Sequence, residues 1–396
     1  MIQISPETQL FIREHSSDDV RALALQAKKY PDINMPTAIT QIAGRQVAAE
    51  KIPSWREIEE IWYPKHLSLE QCSSEITARY KARLFQGDSL IDLTGGFGID
   101  CSFLATGFKT ATYVERQEEL CEIAAHNFPI LNLNHINIKN EDGVTYLQVM
   151  SPVDCLFLDP ARRNEHGGKT VAISDCEPNV AELEALLLSK ANRVMIKLSP
   201  MLDLSLALKE LKHTQEVHIL SVNNECKELL ILLGQTSPAE IAIHCVNLFT
   251  KGTQEEQHFV FTREQEQRSQ CTYTDSLGDY LYEPNASLLK AGAFRSIAAA
   301  YPVRKLHPNS HLYTSDTFIE NFPGRIFRIA NQCSLNKKEV KENLADLKKA
   351  NVTVRNFPAT VAELRKRLHL TEGGDTYLFA STLNNGQKVI IRCEKV

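Results

Sequence analysis

Residues 90–100 read LIDLTGGFGID, and this stretch decides the fold of the chain. Its apolar start has the composition of a β-strand, and the segment after the glycines has that of a helix. Gly95, Gly96 and Gly98 allow a tight turn and a close approach of a ligand to the backbone. A strand, a glycine turn and a helix in this order predict the first unit of a Rossmann-like α/β domain.

Strand–helix alternation continues on both sides of this stretch. Helical sequences, such as residues 117–127 and 179–190, separate most of the short apolar segments. The predicted strands are 90–95, 110–115, 136–140, 153–159, 193–199, 217–223 and 228–233. Alternation at this spacing predicts a mostly parallel seven-stranded sheet with helices on both faces. Because only a few residues join the last two strands, the seventh strand should run antiparallel to the sixth.

The pattern of predicted elements divides the chain into four regions. Residues 1–65 are predicted to form an N-terminal helical region, and residues 66–235 the α/β domain. Residues 236–322 alternate as antiparallel strands do, and residues 323–396 form a compact α+β unit that ends in a hairpin.

Composition excludes several classes of protein. The 396 residues are 43% hydrophobic and 23% charged, as in ordinary globular domains. No apolar run reaches the ~18–20 residues that cross a bilayer, and no secretory signal is visible, so a cytoplasmic protein is expected. The ten cysteines contain no CxxC pair, so neither a metal site nor a redox pair is expected. The oligomeric state is left open.

Charge is distributed unevenly along the chain. The net charge is −5, yet residues 323–396 contain 14 Lys and Arg against 7 Asp and Glu. A basic C-terminal unit on an acidic body is typical of proteins that bind nucleic acid. A solvated helix surface would have the same composition, and charge alone does not separate the two.

Acidic residues lie at the ends of four successive predicted strands or just after them. They are Asp92, Glu115, Asp142 and Asp159. The carboxyl ends of parallel strands meet at one edge of an open sheet, where such folds bind ligands. A dehydrogenase would place a pyrophosphate at the glycine loop, but Asp92 and Asp100 on either side of the loop would repel it. These acids suit a ligand with ammonium and sulfonium charges.

With these residues, the segment from about 70 to 235 resembles class I S-adenosylmethionine-dependent methyltransferases. The resemblance implies that the glycine loop holds the methionine part of the cofactor. It also implies that Glu115 holds the ribose and that Asp142 meets the adenine amino group, with Glu141 as the weaker alternative. Asp92 and Asp159 complete the predicted cofactor-binding set. The stretch DLTGGFGID…YVER is especially similar to the first two motifs of bacterial rRNA guanine-N2 methyltransferases.

The whole chain resembles a bacterial family of uncharacterised methyltransferases. The segments LSLEQCSSEITARYKA, LDPARR and YLYEPNASLLKAG carry this resemblance. Members of the family have a helical N-terminus, a ferredoxin-like insert and a C-terminal THUMP-like domain. THUMP domains bind RNA in tRNA-modifying enzymes, so the resemblance implies an RNA partner, either rRNA or tRNA.

The predicted transfer site follows the fourth strand. Amino-group methyltransferases usually carry Asp or Asn, two prolines and an aromatic residue there, and this chain resembles them at Asp159 and Pro160. The second proline and the aromatic residue are missing. Arg162 would stack on a base, contact phosphate or form a salt bridge with a nearby acid. Cys155 lies inside the strand, and no cysteine follows the fifth strand, which argues against covalent pyrimidine methylation.

Two lysines flank this predicted site. Lys197 ends the fifth strand on the expected substrate side, and Lys81 precedes the glycine loop. Lys81 would either close over the cofactor or pack within a helix.

The sequence thus predicts an S-adenosylmethionine-dependent methyltransferase that acts on an RNA base nitrogen. Two alternatives stay open: a methyltransferase of a small molecule or protein, and a non-catalytic RNA-binding protein that retains the fold.

Overall fold

A computed structural model of the protein describes residues 4–162, 172–252 and 256–396. The chain forms two compact units. The first comprises Met1–Gln215 and Leu230–Pro238, and the second comprises Glu216–Leu229 and Ala239–Val396. The four-region division predicted above stays a prediction.

The first part of the chain alternates helices and strands as predicted. Its helices are α1 (Pro6–Glu14), α2 (Val20–Leu25), α3 (Met35–Lys51), α4 (Pro53–Arg56), α5 (His66–Gln71), α6 (Glu75–Leu84), α7 (Ile99–Ala105), α8 (Glu118–Ile130), α9 (Gly143–Val149), α10 (Val180–Lys190) and α11 (Leu204–Glu210). Its strands are β1 (Gly87–Asp92), β2 (Phe108–Glu115), β3 (Ile136–Asn140), β4 (Val153–Leu158), β5 (Ala161–Arg162), β6 (Cys176–Glu177), β7 (Ala191–Leu198), β8 (Thr214–Val222) and β9 (Glu225–Gly234).

The remainder of the chain is richer in strands. Its strands are β10 (Ala242–Leu248), β11 (Glu256–Phe261), β12 (Tyr280–Pro284), β13 (Arg304–Lys305), β14 (Tyr313–Ser315), β15 (Gly324–Cys333), β16 (Asn351–Val354), β17 (Thr376–Thr382) and β18 (Lys388–Lys395). Its helices are α12 (Arg263–Arg268), α13 (Ala286–Ala291), α14 (Ser296–Ala300), α15 (Lys337–Leu344) and α16 (Val361–Leu368).

The sheet of the first unit runs in the order β9-β7-β4-β1-β2-β3. Strand β1 is parallel to β2 and β4, β2 is parallel to β3, and β4 is parallel to β7. Asp92 is in register with Tyr113 and Phe157, and Glu115 is in register with Asn140. The predicted Rossmann-like α/β class is therefore confirmed, and the carboxyl ends of β1 to β4 meet at one edge.

A two-residue turn joins β8 to β9. Its residues, Asn223 and Asn224, have φ of +50° and +68°. Positive φ at both central positions is typical of a tight antiparallel hairpin, as expected for the last strand. In the second unit β8 lies between β9 and β10, and β10 is parallel to β8 and antiparallel to β11. The sequence predicted the β10–β11 pair but not its parallel attachment to β8.

The N-terminal helices pack over the glycine loop. The Trp55 ring meets the Phe97 ring of the loop edge-on, with centroids 5.3 Å apart, and both side chains are buried. Tyr63 packs against the same Phe97 ring. Trp55 lies in the four-residue helix α4, within the region predicted to be helical. These helices therefore shape one wall of the loop.

In the second unit, a seven-stranded sheet runs in the order β13-β14-β12-β15-β18-β17-β16. Strands β12 and β15 are antiparallel, with Leu281 opposite Phe327, and both side chains are buried in one apolar cluster. The predicted boundary at residues 322/323 falls between strands of this single sheet. No helix among the described residues combines the length and apolar character that a bilayer crossing requires.

Candidate active site

The glycine loop follows β1, and packing or backbone conformation requires glycine at three of its positions. A Cβ atom on Gly95 would lie 2.3 Å from the Tyr113 ring, so packing excludes a side chain there. Gly96 has φ of +53° and Gly98 has φ of +87°, a backbone region that favours glycine. At Gly96 the nearest heavy atom to an added Cβ would be the Thr94 carbonyl oxygen, 3.8 Å away. The space beside Gly96 is therefore open to a ligand.

Asp92 ends β1 directly before this loop and is 1% exposed. Its Oδ1 accepts a hydrogen bond of 2.9 Å from the Thr94 N–H, and its Oδ2 has no hydrogen-bond partner among the described residues. Burial raises the pKa of Asp92 to about 8, and the nearby carboxylates of Asp100 and Asp159 contribute to the rise. The ionised form is therefore costly until a positive group comes close.

Glu115 ends β2 and is held at the same loop. Its Oε2 accepts a 2.9 Å hydrogen bond from the Gly96 N–H, and its Oε1 accepts one of 2.8 Å from the Gln117 N–H. Each carboxylate oxygen has a second lone pair, so Glu115 retains the capacity to accept hydroxyl groups.

Asp142 follows β3 and is exposed. Its Oδ1 caps α9 by accepting 3.0 Å hydrogen bonds from the N–H groups of Val144 and Thr145. The next residue, Gly143, packs so closely that an added Cβ would lie 2.1 Å from the Leu93 carbonyl oxygen. This contact places Asp142 beside the end of β1. Capping thus occupies Oδ1 of Asp142 and leaves Oδ2 available to accept a hydrogen bond from a ligand.

A buried charge network lies next to the loop. The Lys197 ammonium is 2.6 Å from Asp159 Oδ2 and 3.2 Å from Asp100 Oδ2, and the Lys81 ammonium is 2.8 Å from Asp100 Oδ1. Ser73 Oγ joins the network, because it accepts from both lysines and donates to Asp100 over 2.7 Å. Lys81 is fully buried in this network, which agrees with the helix-packing alternative for that residue.

The network pairs two of the three buried acids with ammonium groups. Burial opposes ionisation of Asp100, but Lys81 and Lys197 outweigh it and hold the pKa of Asp100 well below its usual range. Burial raises the pKa of Asp159, and Lys197 offsets only part of that rise. Asp100 and Asp159 thus take both ammonium groups, and Asp92 forms no ion pair with any residue that the structure describes. A cationic ligand beside Asp92 would favour its ionised form.

The predicted transfer residues follow β4. The Asp159 N–H donates to Thr94 Oγ1 over 2.6 Å, and the Asp159 side chain is 37% exposed. Its Oδ1 makes no hydrogen bond within the described parts of the chain, whereas Oδ2 pairs with Lys197. Pro160 is buried, and the Arg162 backbone pairs with Cys176 in the β5–β6 ribbon. The Arg162 side chain and residues 163–171 lie outside the described structure.

Cys155 does not take part in this site as a nucleophile. It is buried inside β4 with 1% exposure, and burial raises the pKa of its thiol to about 11. A thiol with so high a pKa is almost entirely protonated at neutral pH and is a poor nucleophile.

The chemistry of the site favours a specific class of ligand. An orphaned buried carboxylate oxygen on Asp92 suits an ammonium or sulfonium group, and Glu115 suits a pair of hydroxyls. The open space beside Gly96 admits the ligand against the backbone. The residues therefore fit a small molecule that combines positive charge with hydroxyl groups.

Two domain families match the C-terminal part of the chain. Residues 280–323 match a ferredoxin-like domain, and residues 324–395 match a THUMP domain-like family. No curated protein matches the chain.

Solved structures extend the similarity to the full length. A candidate methyltransferase from Porphyromonas gingivalis W83 is 34% identical, covers 100% of both chains and superposes with a TM-score of 0.87. An rRNA methylase from Streptococcus thermophilus is 14% identical over 41% of this chain and 95% of its own, with a TM-score of 0.30. A methyltransferase-like protein from Streptococcus mutans in complex with SAH is 14% identical over 40% of this chain and 96% of its own, also with a TM-score of 0.30.

Proposed function

The chain belongs to the bacterial methyltransferase family that carries ferredoxin-like and THUMP-like domains, and we propose that it transfers a methyl group from S-adenosylmethionine to a nitrogen of an RNA base. One observation carries the cofactor part of the proposal. Asp92 is a buried carboxylate with an unpartnered oxygen at a glycine loop, where the network already contains more acids than ammonium groups. S-adenosylmethionine, when bound, supplies an electrophilic methyl group on a sulfonium and a positive charge that this site lacks.

Each residue of the loop edge has a role in this proposal. Asp92 faces the positive part of the cofactor, and Gly96 with its neighbours Gly95 and Gly98 accommodates it against the backbone. Glu115 accepts the ribose hydroxyls while the Gly96 N–H fixes its orientation. Asp142 accepts from the adenine amino group with the oxygen that does not cap α9.

Asp159 and Pro160 orient the target nitrogen. Lys197 holds Oδ2 of Asp159 at 2.6 Å, so Oδ1 is fixed in place and accepts a hydrogen bond from the target N–H. The Pro160 carbonyl is the second acceptor in the proposal. Arg162 contacts the base or a phosphate. The lone pair of the target nitrogen is thereby aimed at the methyl group, and its N–H proton is lost to solvent after transfer.

The RNA partner is proposed on the THUMP-like part. On α15, Lys337, Lys338 and Lys341 are exposed and form no salt bridge among the described residues. On α16, by contrast, Arg365 pairs with Glu372 at 3.1 Å, and Arg367 donates to the Leu335 carbonyl. The free ammonium groups of α15 are therefore better placed to neutralise phosphates than the arginines of α16.

The reaction is tested by mass spectrometry of modified nucleosides from a strain that lacks the protein. We expect one methylated nucleoside to disappear, to return with the wild-type chain and to stay absent with Asp159→Ala, which removes the acceptor oxygens. The control is Asp88→Ala, which changes an exposed acid at the opposite end of β1 and should restore the nucleoside. Full restoration by Asp159→Ala would remove Asp159 from the transfer site.

The RNA partner is tested by the salt dependence of binding to total tRNA and rRNA. Replacing Lys337, Lys338 and Lys341 by Gln should lower the slope of log affinity against log salt by about 2, at about 0.7 for each single-strand contact. The control is Lys28→Gln with Lys29→Gln, which removes two positive charges from exposed positions of the N-terminal region and should leave the slope unchanged. If neither RNA binds, a small molecule or a protein becomes the preferred substrate.

A further inference from the structure

Three side chains with metal-ligand chemistry converge on the β8–β10 strand pair. Glu216 and His218 are two positions apart on β8 and so lie on the same face of the sheet. His244 on β10 is directly in register with His218. One ligand atom from each of the three residues lies within 4.8 Å of the others.

The geometry aims both imidazoles at one carboxylate oxygen. Glu216 Oε2 is 3.3 Å from His218 Nε2 and 4.0 Å from His244 Nε2. The two rings are stacked, with centroids 4.3 Å apart and planes 12° apart. Both Nε2 atoms thus lie beside the same carboxylate oxygen, although the rings come from adjacent strands.

A fourth side chain, that of His258, contacts the ring of His244. His244 Nδ1 is 3.1 Å from His258 Nε2 on β11, which is hydrogen-bonding distance. A histidine that binds a metal through one ring nitrogen commonly donates the other N–H to a neighbouring acceptor, which sets its tautomer. His258 Nε2 is placed to accept this N–H in the tautomer that leaves His244 Nε2 for the metal.

We propose that Glu216, His218 and His244 form a divalent transition-metal site, with Zn²⁺ as the preferred ion. Metal–ligand bonds of about 2.1 Å in tetrahedral geometry separate neighbouring ligand atoms by about 3.4 Å. The 3.3 Å distance already meets this spacing. To hold one ion, Glu216, whose side chain is 44% exposed, has to rotate, and one of the two stacked rings has to turn towards the other's Nε2.

Two imidazoles and one carboxylate select the class of ion. Nitrogen and carboxylate ligands suit Zn²⁺ and its transition-metal neighbours, whereas Mg²⁺ and Ca²⁺ prefer oxygen ligands alone. Three protein ligands leave a coordination position for water. His218 is 3% exposed and His244 is 20% exposed, so the site opens to solvent on the Glu216 side.

Such an ion would cross-link β8 to β10. Its binding would stabilise the folded chain by linkage, because the unfolded chain does not bring residues 216 and 244 together. This site is independent of the proposed methyl transfer, and its test does not require a known substrate.

Binding of Co²⁺ and Zn²⁺ to the full chain, first treated with a chelator, tests the proposal. We expect one equivalent of Co²⁺ to bind and to give d–d absorption without the strong thiolate charge-transfer band that cysteine ligands would produce. Zn²⁺ should displace Co²⁺ and raise the melting temperature. His258→Ala should weaken binding about 10–100-fold as an outer-shell change, and Glu216→Gln and His244→Ala should weaken it further.

The control is His369→Asn, an exposed histidine elsewhere in the second unit whose φ of +55° asparagine tolerates. This variant should bind the metal as the wild type does. Equal metal affinity and stoichiometry in the wild type, Glu216→Gln and His258→Ala would overturn the proposal. So would a thiolate charge-transfer band, or no binding by the wild type at micromolar metal.

Discussion

Replacing Asp92 by asparagine should stabilise the ligand-free protein at neutral pH and weaken cofactor binding. Burial raises the pKa of Asp92 to about 8, so the folded protein binds a proton that the unfolded chain releases near pH 4. Stability from this group is therefore present at low pH and lost as the pH rises from about 4 towards 8. Asparagine keeps an oxygen for the Thr94 N–H and does not titrate.

The magnitude follows from the width of that pH window. Each pH unit inside it changes the free energy of unfolding by at most about 1.4 kcal/mol. Between pH 5 and pH 7 the wild type should therefore lose up to about 3 kcal/mol relative to Asp92→Asn. Because Asp159 also has a raised pKa and shares this titration, we expect about 1–3 kcal/mol.

Urea unfolding at pH 5, 6, 7 and 8 measures this difference. Asp88→Asn is the matched control, since Asp88 is 71% exposed and pairs with Lys109 at the surface. Its pH profile should parallel that of the wild type. S-adenosylmethionine should stabilise the wild type more than Asp92→Asn, because only the wild type offers it a buried carboxylate. A variant that is less stable than the wild type at every pH, with a parallel profile, would refute the reasoning.

Three further predictions concern the same unit. Glu115→Gln should weaken S-adenosylmethionine binding by about 1–3 kcal/mol in calorimetry, because it loses charged acceptors for hydroxyls; unchanged affinity would reassign the ribose contact. Lys197→Met should lower the free energy of unfolding by about 3–5 kcal/mol, because it leaves buried carboxylates without their cation. Exposed Lys109→Met should cost about 0–1 kcal/mol, and equal losses in the two variants would contradict the network. Gly96→Ala should fold with a loss of about 1–2 kcal/mol from its positive φ, yet bind cofactor much more weakly, and wild-type binding would mean that no ligand occupies the space beside it.

The sheet was predictable because its strands are buried on both faces. Such strands are continuous apolar runs separated by helical periods, and all seven predicted strands are present within a few residues of their predicted ends. The short N-terminal helices were less predictable. Their ends depend on packing, such as that of Trp55 on Phe97, which leaves no local signal in the sequence.

The residues of the strand ends could be predicted, but their partners could not. Asp92 and Glu115 end their strands and Asp159 directly follows its strand, so their place at one edge follows from the parallel topology. The pairing of Lys197 with Asp100 spans 97 positions, and Ser73 joins Lys197 across 124. The sequence contains the lysines but no signal of which acids they meet. Similarly, only the parallel β8–β10 pairing brings His218 and His244 together.

The pairing of β12 with β15 joins the ferredoxin-like and THUMP-like parts in one continuous sheet. Across it, the buried Glu283 of β12 forms ion pairs with Arg325 of β15 and with Arg355. A chain cut after residue 322 would bare the hydrogen-bonding edge of β12 and leave the Glu283 charge without its two guanidinium partners. Unpaired strand edges promote aggregation. Loss of RNA binding in such a deletion would therefore report a damaged sheet, and surface substitutions on α15 are the cleaner probe. Force or strain from a bound RNA would pass along the sheet instead of being absorbed at a flexible joint between β12 and β15.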